Sequence, residues 1–186
     1  MRVIDLSKAT GQREAWDRPA LVVYLWAFCE LVFVTNPFQI SSRLRVSVLR
    51  LFGAKIGNGV LMRPRTRVKF PWKLEIGARS WIGEGVWIHN QDRVEIGGDV
   101  VVSQGSFLTT GTHAFRRDMA LKTRSVVIED GVWVTARCVI LAGSRIRRSA
   151  LILPNTVVSG EVPAGSLFGT PPGQVVGQRF PDSQEP

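Results

Sequence analysis

The sequence predicts an all-β solenoid, a parallel β-helix preceded by a short helical segment. Three observations carry this reading. An aliphatic residue returns at every sixth position from Ile128 to Val158: Ile128, Val134, Ile140, Ile146, Ile152, Val158. Four residues after each stands a small or branched one: Val132, Cys138, Ser144, Ala150, Thr156, Val162. Upstream the same period recurs in three interrupted stretches. These hold Ile56, Met62 and Val68, then Ile76, Ile82 and Ile88, then Ile96, Val102 and Leu108. A period of six is neither the helix period nor strand alternation. It is the signature of short flat faces, three to a coil, with each coil hydrogen-bonded to the next about 4.8 Å away.

The partner positions upstream agree for the most part: Val60, Thr66, Ser80, Val86, Val100, Ser106 and Thr112, with Asp92 as the exception. Gly57, Gly77, Gly83 and Gly97 follow anchors, where a corner is expected to need unusual backbone angles.

The elements follow in order. Residues 1–12 read as a loose arm. Residues 13–35 read as helical, ending at the breaker pair Asn36-Pro37. A second helix is expected over 41–52, with Leu44, Val48 and Leu51 on one face and Gly53 as its stop. This gives a helical N-terminal segment over 1–53 and a coil over 54–165. The coil is interrupted at Lys69–Leu74, at Asn90–Arg93 and, longest, by a polar and basic loop at 111–125. Insertions at the corners of a solenoid disturb little else and often carry function. Residues 166–186 read as an extended Pro/Gly-rich tail.

Composition bounds the function. The 186 residues suit one domain, and 45% of them are hydrophobic, enough for a packed core. The formal net charge is +9, part of it concentrated between Arg43 and Lys73. Such a patch suits an anionic lipid surface, a nucleic acid or a phosphorylated small molecule. Nucleic-acid motifs are absent, so no nucleic-acid partner is expected. The stretch Leu21–Val34 is apolar but short and carries Glu30, so it reads as a buried or interfacial helix with peripheral membrane contact as one role. The first residues show no secretory leader, which suggests a cytoplasmic protein. Cys29 and Cys138 give no disulfide framework, and no Cys/His cluster has zinc spacing, so no metal is expected.

His113 is the sharpest candidate for chemistry. It opens the long loop directly after a regular rung, at the coil edge. An imidazole there suits a general base that takes a proton from an attacking hydroxyl. Asn90 carries an amide able to donate to and accept from a sugar hydroxyl. Its neighbour His89 reads as a surface residue. Trp81, Trp87 and Trp133 each precede an anchor and should face outward, for packing between subunits or for lining an acyl or sugar site.

Taken together, these residues resemble the hexapeptide-repeat acyltransferases, and among them the WcaF-type colanic acid acetyltransferases. The segments that carry the likeness are LRLFGAKIG (49–57), FPWKLEIG (70–77), WIGEGVWIHN (81–90), VVSQGSFLTTGTH (101–113) and VIEDGVWV (127–134), with Gly-Thr-Pro-Pro at 169–172. The resemblance implies a left-handed coil, a homotrimer with its active site between neighbouring prisms, acetyl-CoA as donor and a sugar hydroxyl as acceptor. That acceptor would belong to an exopolysaccharide or its lipid-linked precursor. It also implies His113 as catalytic base, Trp133 as lining of the acyl site, Asn90 near the acceptor sugar, and Ala136 and Pro154 bordering the CoA arm. Three positions depart from the family pattern: Ala114 follows the histidine where Asp is common, Ser159-Gly160-Glu161 stands for Thr-Lys-Asp, and Gln174 for a basic residue. Arg145, Arg147, Arg148 and Arg179 are candidates to compensate at the nucleotide end of CoA. The alternative readings are a non-catalytic scaffold or binding solenoid and a membrane-surface assembly factor.

Overall fold

A computed structural model describes residues 3–9 and 12–170. From Lys55 onward the chain winds into three parallel sheets of six, six and five short strands, five complete coils and two sides of a sixth. The coil is a left-handed parallel β-helix. The first face stacks Lys55–Ile56, Leu74–Ile76, Val94–Ile96, Val126–Ile128, Arg145–Ile146 and Glu161–Val162. The second runs from Leu61–Met62 to Leu167–Phe168, and the third from Arg67–Val68 to Val157–Val158.

The six-residue period becomes a core in a direct way. Each anchor points into the prism and meets the anchor of the next coil: Ile56 pairs with Ile76, Ile128 with Ile146, Ile152 with Phe168. Anchors from Ile56 to Val162 are all buried, and Thr66, Ser80, Val86, Val100, Ser106, Val132, Cys138, Ser144, Ala150 and Thr156 fill the second slot. Slot hydroxyls on the earlier coils are absorbed locally, Ser80 Oγ donating to Gly97 O (2.8 Å) and Ser106 Oγ to Thr135 O (3.0 Å), whereas Thr156 Oγ1 is buried without a partner among the described residues.

Four readings are corrected. Thr112 is exposed in a hairpin, and Thr110 is the buried residue at that corner. Val162 is an anchor paired with Ile146 and not a partner slot, because the last corner is short and turns through Gly160 at φ +92°. The ladder also continues past residue 165, since Leu167–Phe168 pairs with Leu151–Ile152 and adds a last apolar side. Finally, Gly57, Gly77, Gly83 and Gly97 have ordinary backbone angles. A Cβ on them would run into the main chain of the next coil, at Ala78, Gly97, Gln104 and Asp130 respectively. Close approach, not left-handed backbone, is what they provide.

All three interruptions fall at one corner, between the third and first faces. The residues at 69–73, 90–93 and 110–125 therefore stack along a single edge of the prism. The long loop begins there as an antiparallel hairpin, Gly111–His113 against Leu121–Thr123.

The N-terminal segment caps the open end of the coil. A 3-10 turn (Gln12–Ala15) precedes α1 (Ala20–Cys29), which starts after Pro19 and runs on as a π-helical turn over Glu30–Thr35. A second helix, α2, covers Ser42–Leu51 with Ser41 as N-cap, its Oγ accepting from Leu44 N. The first coil has no neighbour below, so its strands leave main-chain groups unpaired. Side chains of the cap meet them. Arg50 donates to Ile56 O and Gly57 O, and Ser42 Oγ accepts from Met62 N. Glu30 Oε1 accepts from Val68 N (2.6 Å), and Trp26 Nε1 donates to Val68 O (2.9 Å). Arg45 is fully buried and donates to Val34 O, Gln39 O and Met62 O. The buried face of α2 is thus Arg45, Val46 and Leu49, whereas Leu44 and Leu51 are exposed, contrary to the expected Leu44–Val48–Leu51 face. The open edge of a sheet draws a guanidinium inward where hydropathy alone would leave it outside.

Candidate active site

The hairpin at the third–first corner positions His113. Thr110 anchors its base: its carbonyl accepts from Arg124 N (2.9 Å) and its Oγ1 from Asp92 N (2.8 Å). The tip is a tight turn in which Ala114 O accepts from the N–H groups of Arg117, Asp118 and Met119. Met119 takes a left-handed conformation at φ +58°, which aims its carbonyl back across the hairpin. That carbonyl lies 2.9 Å from His113 Nδ1. A carbonyl oxygen can only accept, so Nδ1 carries the proton and Nε2 of the neutral ring keeps its lone pair. The imidazole is exposed and borders a shallow recess of about 300 Å³ lined by Phe115, Arg116, Arg117 and Lys122. Ala114, the position where the family pattern has Asp, is buried in the turn and presents no polar side chain.

Trp133 lies on the second face, in a column of outward residues made by Leu61, Trp81, Val101, Trp133, Leu151 and Leu167. Its indole is half exposed, and Nε1 donates to Ser103 Oγ (3.0 Å) on the preceding coil, which fixes the ring. Ala136 and Pro154 occupy the next corner on consecutive coils, linked by Asn155 N donating to Ala136 O (3.1 Å). The structure therefore brings Trp133, Ala136 and Pro154 to one side of the prism and sets His113 at another corner.

Asn90 corrects an expectation. It is fully buried, with Oδ1 accepting from Phe70 N (3.0 Å) and Nδ2 donating to Phe70 O (2.6 Å). Its amide closes the stacked corner rather than facing an acceptor. The sequence offered no sign of this, because Phe70 stands one coil away. Trp87 is covered within the chain, stacked under the Arg67 guanidinium (4.4 Å) and against Phe107 (4.9 Å). His89 packs edge-on to Trp87 (5.5 Å), and burial, then Lys69 and Arg67, holds its pKa below the usual histidine value. Arg145, Arg147 and Arg148 are engaged by Glu129, Glu161 and Asp130. Pro171, Pro172, Gln174 and Arg179 lie outside the described residues. Sequence reasoning missed Met119, Ser103 and Thr110. Met119 and Thr110 act through main-chain geometry, and Ser103 through a contact between coils.

No protein-family model matches the chain. WcaF of Escherichia coli K12, named as a colanic acid biosynthesis acetyltransferase, is 31% identical over 155 residues, 83% of this chain and 85% of its own length. A galactoside O-acetyltransferase of Lactococcus lactis is 24% identical over 144 residues, 74% of this chain and 67% of its own. Among solved structures, a hexapeptide-repeat acetyltransferase of Vibrio cholerae in complex with acetyl coenzyme A matches with a TM-score of 0.75 at 20% identity, over 87% of this chain and 94% of that one. A galactoside acetyltransferase in complex with coenzyme A matches at 0.67 and 18% identity, over 86% and 78%. The two structures share the fold, and the extent and identity of the match to WcaF place this chain in a family: it belongs to the WcaF-type hexapeptide-repeat acetyltransferases.

Proposed function

We propose that the protein transfers the acetyl group of acetyl-CoA to a sugar hydroxyl of an exopolysaccharide or its lipid-linked precursor, with His113 as general base. One observation carries the reading: Met119 O fixes the proton on Nδ1 and leaves Nε2 free at an exposed edge. In the proposed step the acceptor hydroxyl loses its proton to Nε2 as its oxygen bonds to the thioester carbonyl carbon. The resulting tetrahedral oxyanion collapses, the C–S bond breaks, and the thiolate takes the proton back from the imidazolium. Trp133 would line the acyl end, and Ala136 and Pro154 would border the pantetheine arm.

His113 and Trp133 stand on different sides of one chain, so a site that uses both needs two copies. This supports a homotrimer with sites between prisms, the apolar column on the second face being the surface that packs there. A lipid-linked acceptor would place the reaction at a membrane surface. The names of the relatives, which act on galactosides or serve colanic acid biosynthesis, favour a sugar acceptor. The test is thiol release from acetyl-CoA with a panel of nucleotide sugars and lipid-linked sugars. His113→Ala should lower kcat by about 10²–10⁴-fold with folding and assembly intact. Activity that survives this change would overturn the role of His113.

A further inference from the structure

The helical cap has two sides. Its inner side holds Trp26, Val34, Val46 and Leu49 against the end of the core. Its outer side departs from the rule that the terminal cap of a solenoid turns a polar face to solvent. On α1 and the π-helical turn that continues it, Leu21, Tyr24, Leu25, Phe28 and Leu31 recur at the spacing of one helical face, and all five are 51–79% exposed. The turn after the π-helical segment adds Phe38 and Ile40, exposed at 91% and 85%. Seven large apolar side chains exposed on one short segment exceed the scatter of single residues on an ordinary surface.

The charge near this face is mainly basic, although Arg45 is buried and Lys55, Arg65 and Lys73 pair with Glu75, Glu84 and Asp17. From Arg18 to Lys73 the sequence holds ten basic residues and one acidic residue. That acid, Glu30, is turned inward onto Val68 N. Arg67 and Lys69 line the same recess as Val23 and Ala27 of α1, so cations stand directly beside the apolar helix. Arg43 and Arg63 are exposed nearby in the chain, on α2 and the first coil.

We infer that the outer face of the cap docks onto an anionic bilayer surface. No described helix is long and apolar enough to cross a membrane, so α1 would lie in the plane of the interface with its apolar face among the acyl chains. Basic side chains beside it add attraction to anionic headgroups. A second copy of the same face is a poorer occupant, because joining two such faces brings their basic rims together.

The full chain is centrifuged with vesicles of phosphatidylcholine alone or mixed with phosphatidylglycerol, a readout that needs no acetyl transfer. The protein should pellet with the anionic vesicles, far less with the neutral ones, and less as salt rises. Phe28→Glu with Leu31→Glu should lower partition at least about tenfold. Arg43→Gln and Arg63→Gln should each lower it roughly fivefold. All four residues are exposed, and thermal unfolding verifies that each variant folds. Three results would overturn the inference: protein left in the supernatant with both vesicle types, variants that bind like the parent, or an assembly that dissociates in the Phe28→Glu, Leu31→Glu chain and so shows that another copy covers the face.

Discussion

Asn90 holds the main chain of Phe70 at both ends, accepting from its N–H at 3.0 Å and donating to its carbonyl at 2.6 Å. The side-chain amide stands in for a peptide group and continues the ladder through a corner where the coil carries extra residues. Asn90→Ala strands the buried Phe70 N–H and leaves Phe70 O with Lys73 N alone, and should cost about 1–3 kcal/mol, read by urea unfolding. Asn90→Asp keeps the acceptor but loses the donor and should also destabilise. Well below the unfolding transition, KM for the acceptor should be unchanged. A raised KM with normal stability would return Asn90 to the acceptor site.

The tautomer of His113 is open to direct observation. With Met119 O accepting from Nδ1, the neutral ring should show a protonated Nδ1 and an unprotonated Nε2 in nitrogen-15 NMR of histidine-labelled protein. Met119→Gly retains the left-handed backbone and should preserve this pattern, whereas Met119→Ile strains it and should lower kcat. Protonation at Nε2 in the parent protein would contradict the proposed base.

Trp133 is held by Ser103, and its ring is offered to the acyl donor under the proposed function. Trp133→Ala should raise the donor KM about tenfold, and Trp133→Phe, which keeps a ring, should cost severalfold less. Equal effects of both changes on donor and acceptor would point to a packing role for the ring.

Most of the coil was legible from sequence because its rule is local. An aliphatic residue in the narrow prism has one environment at every sixth position, and Ile128, Val134 and Ile140 announce it without help from distant residues. The place of His113 at the opening of the long loop was legible for the same reason, since the loop interrupts a period already established. Arg45 and Asn90 were not. Each is drawn inside by main-chain groups of another segment, Met62 and Val34 in one case and Phe70 in the other. Hydropathy marks both as surface residues, and only the stacked geometry supplies their partners. The close approach that Gly57, Gly77, Gly83 and Gly97 provide is not legible, because the distance to the next coil is not written in one coil's sequence.

Arg45 gives the largest expected stability effect. Removing its side chain leaves Val34, Gln39 and Met62 carbonyls without their donor and opens space between cap and coil. Arg45→Ala should cost at least about 3 kcal/mol in urea unfolding. Arg45→Lys, lacking the planar fork, should recover only part of that loss. A neutral outcome for Arg45→Ala would mean that the cap adds little to the end of the coil.

Glu30 should make stability depend on pH in an unusual direction. Burial raises its pKa above the ordinary glutamate value, outweighing the Val68 N–H bond and the nearby Arg67 and Lys69. The folded chain then holds this proton at pH values where the unfolded chain has released it. Over that window the folded state binds more protons, so stability falls as pH rises. The contribution is fully present below about pH 4 and is lost as pH climbs through the raised folded value. Glu30→Gln keeps an oxygen for Val68 N but cannot ionise. The stability of the parent relative to Glu30→Gln should therefore decline from pH 4 toward neutrality, measured by urea unfolding at each pH. A difference that stays constant, or that grows in favour of the parent, would show that the ionised carboxylate is stabilised by Val68 and its cationic neighbours more than burial penalises it.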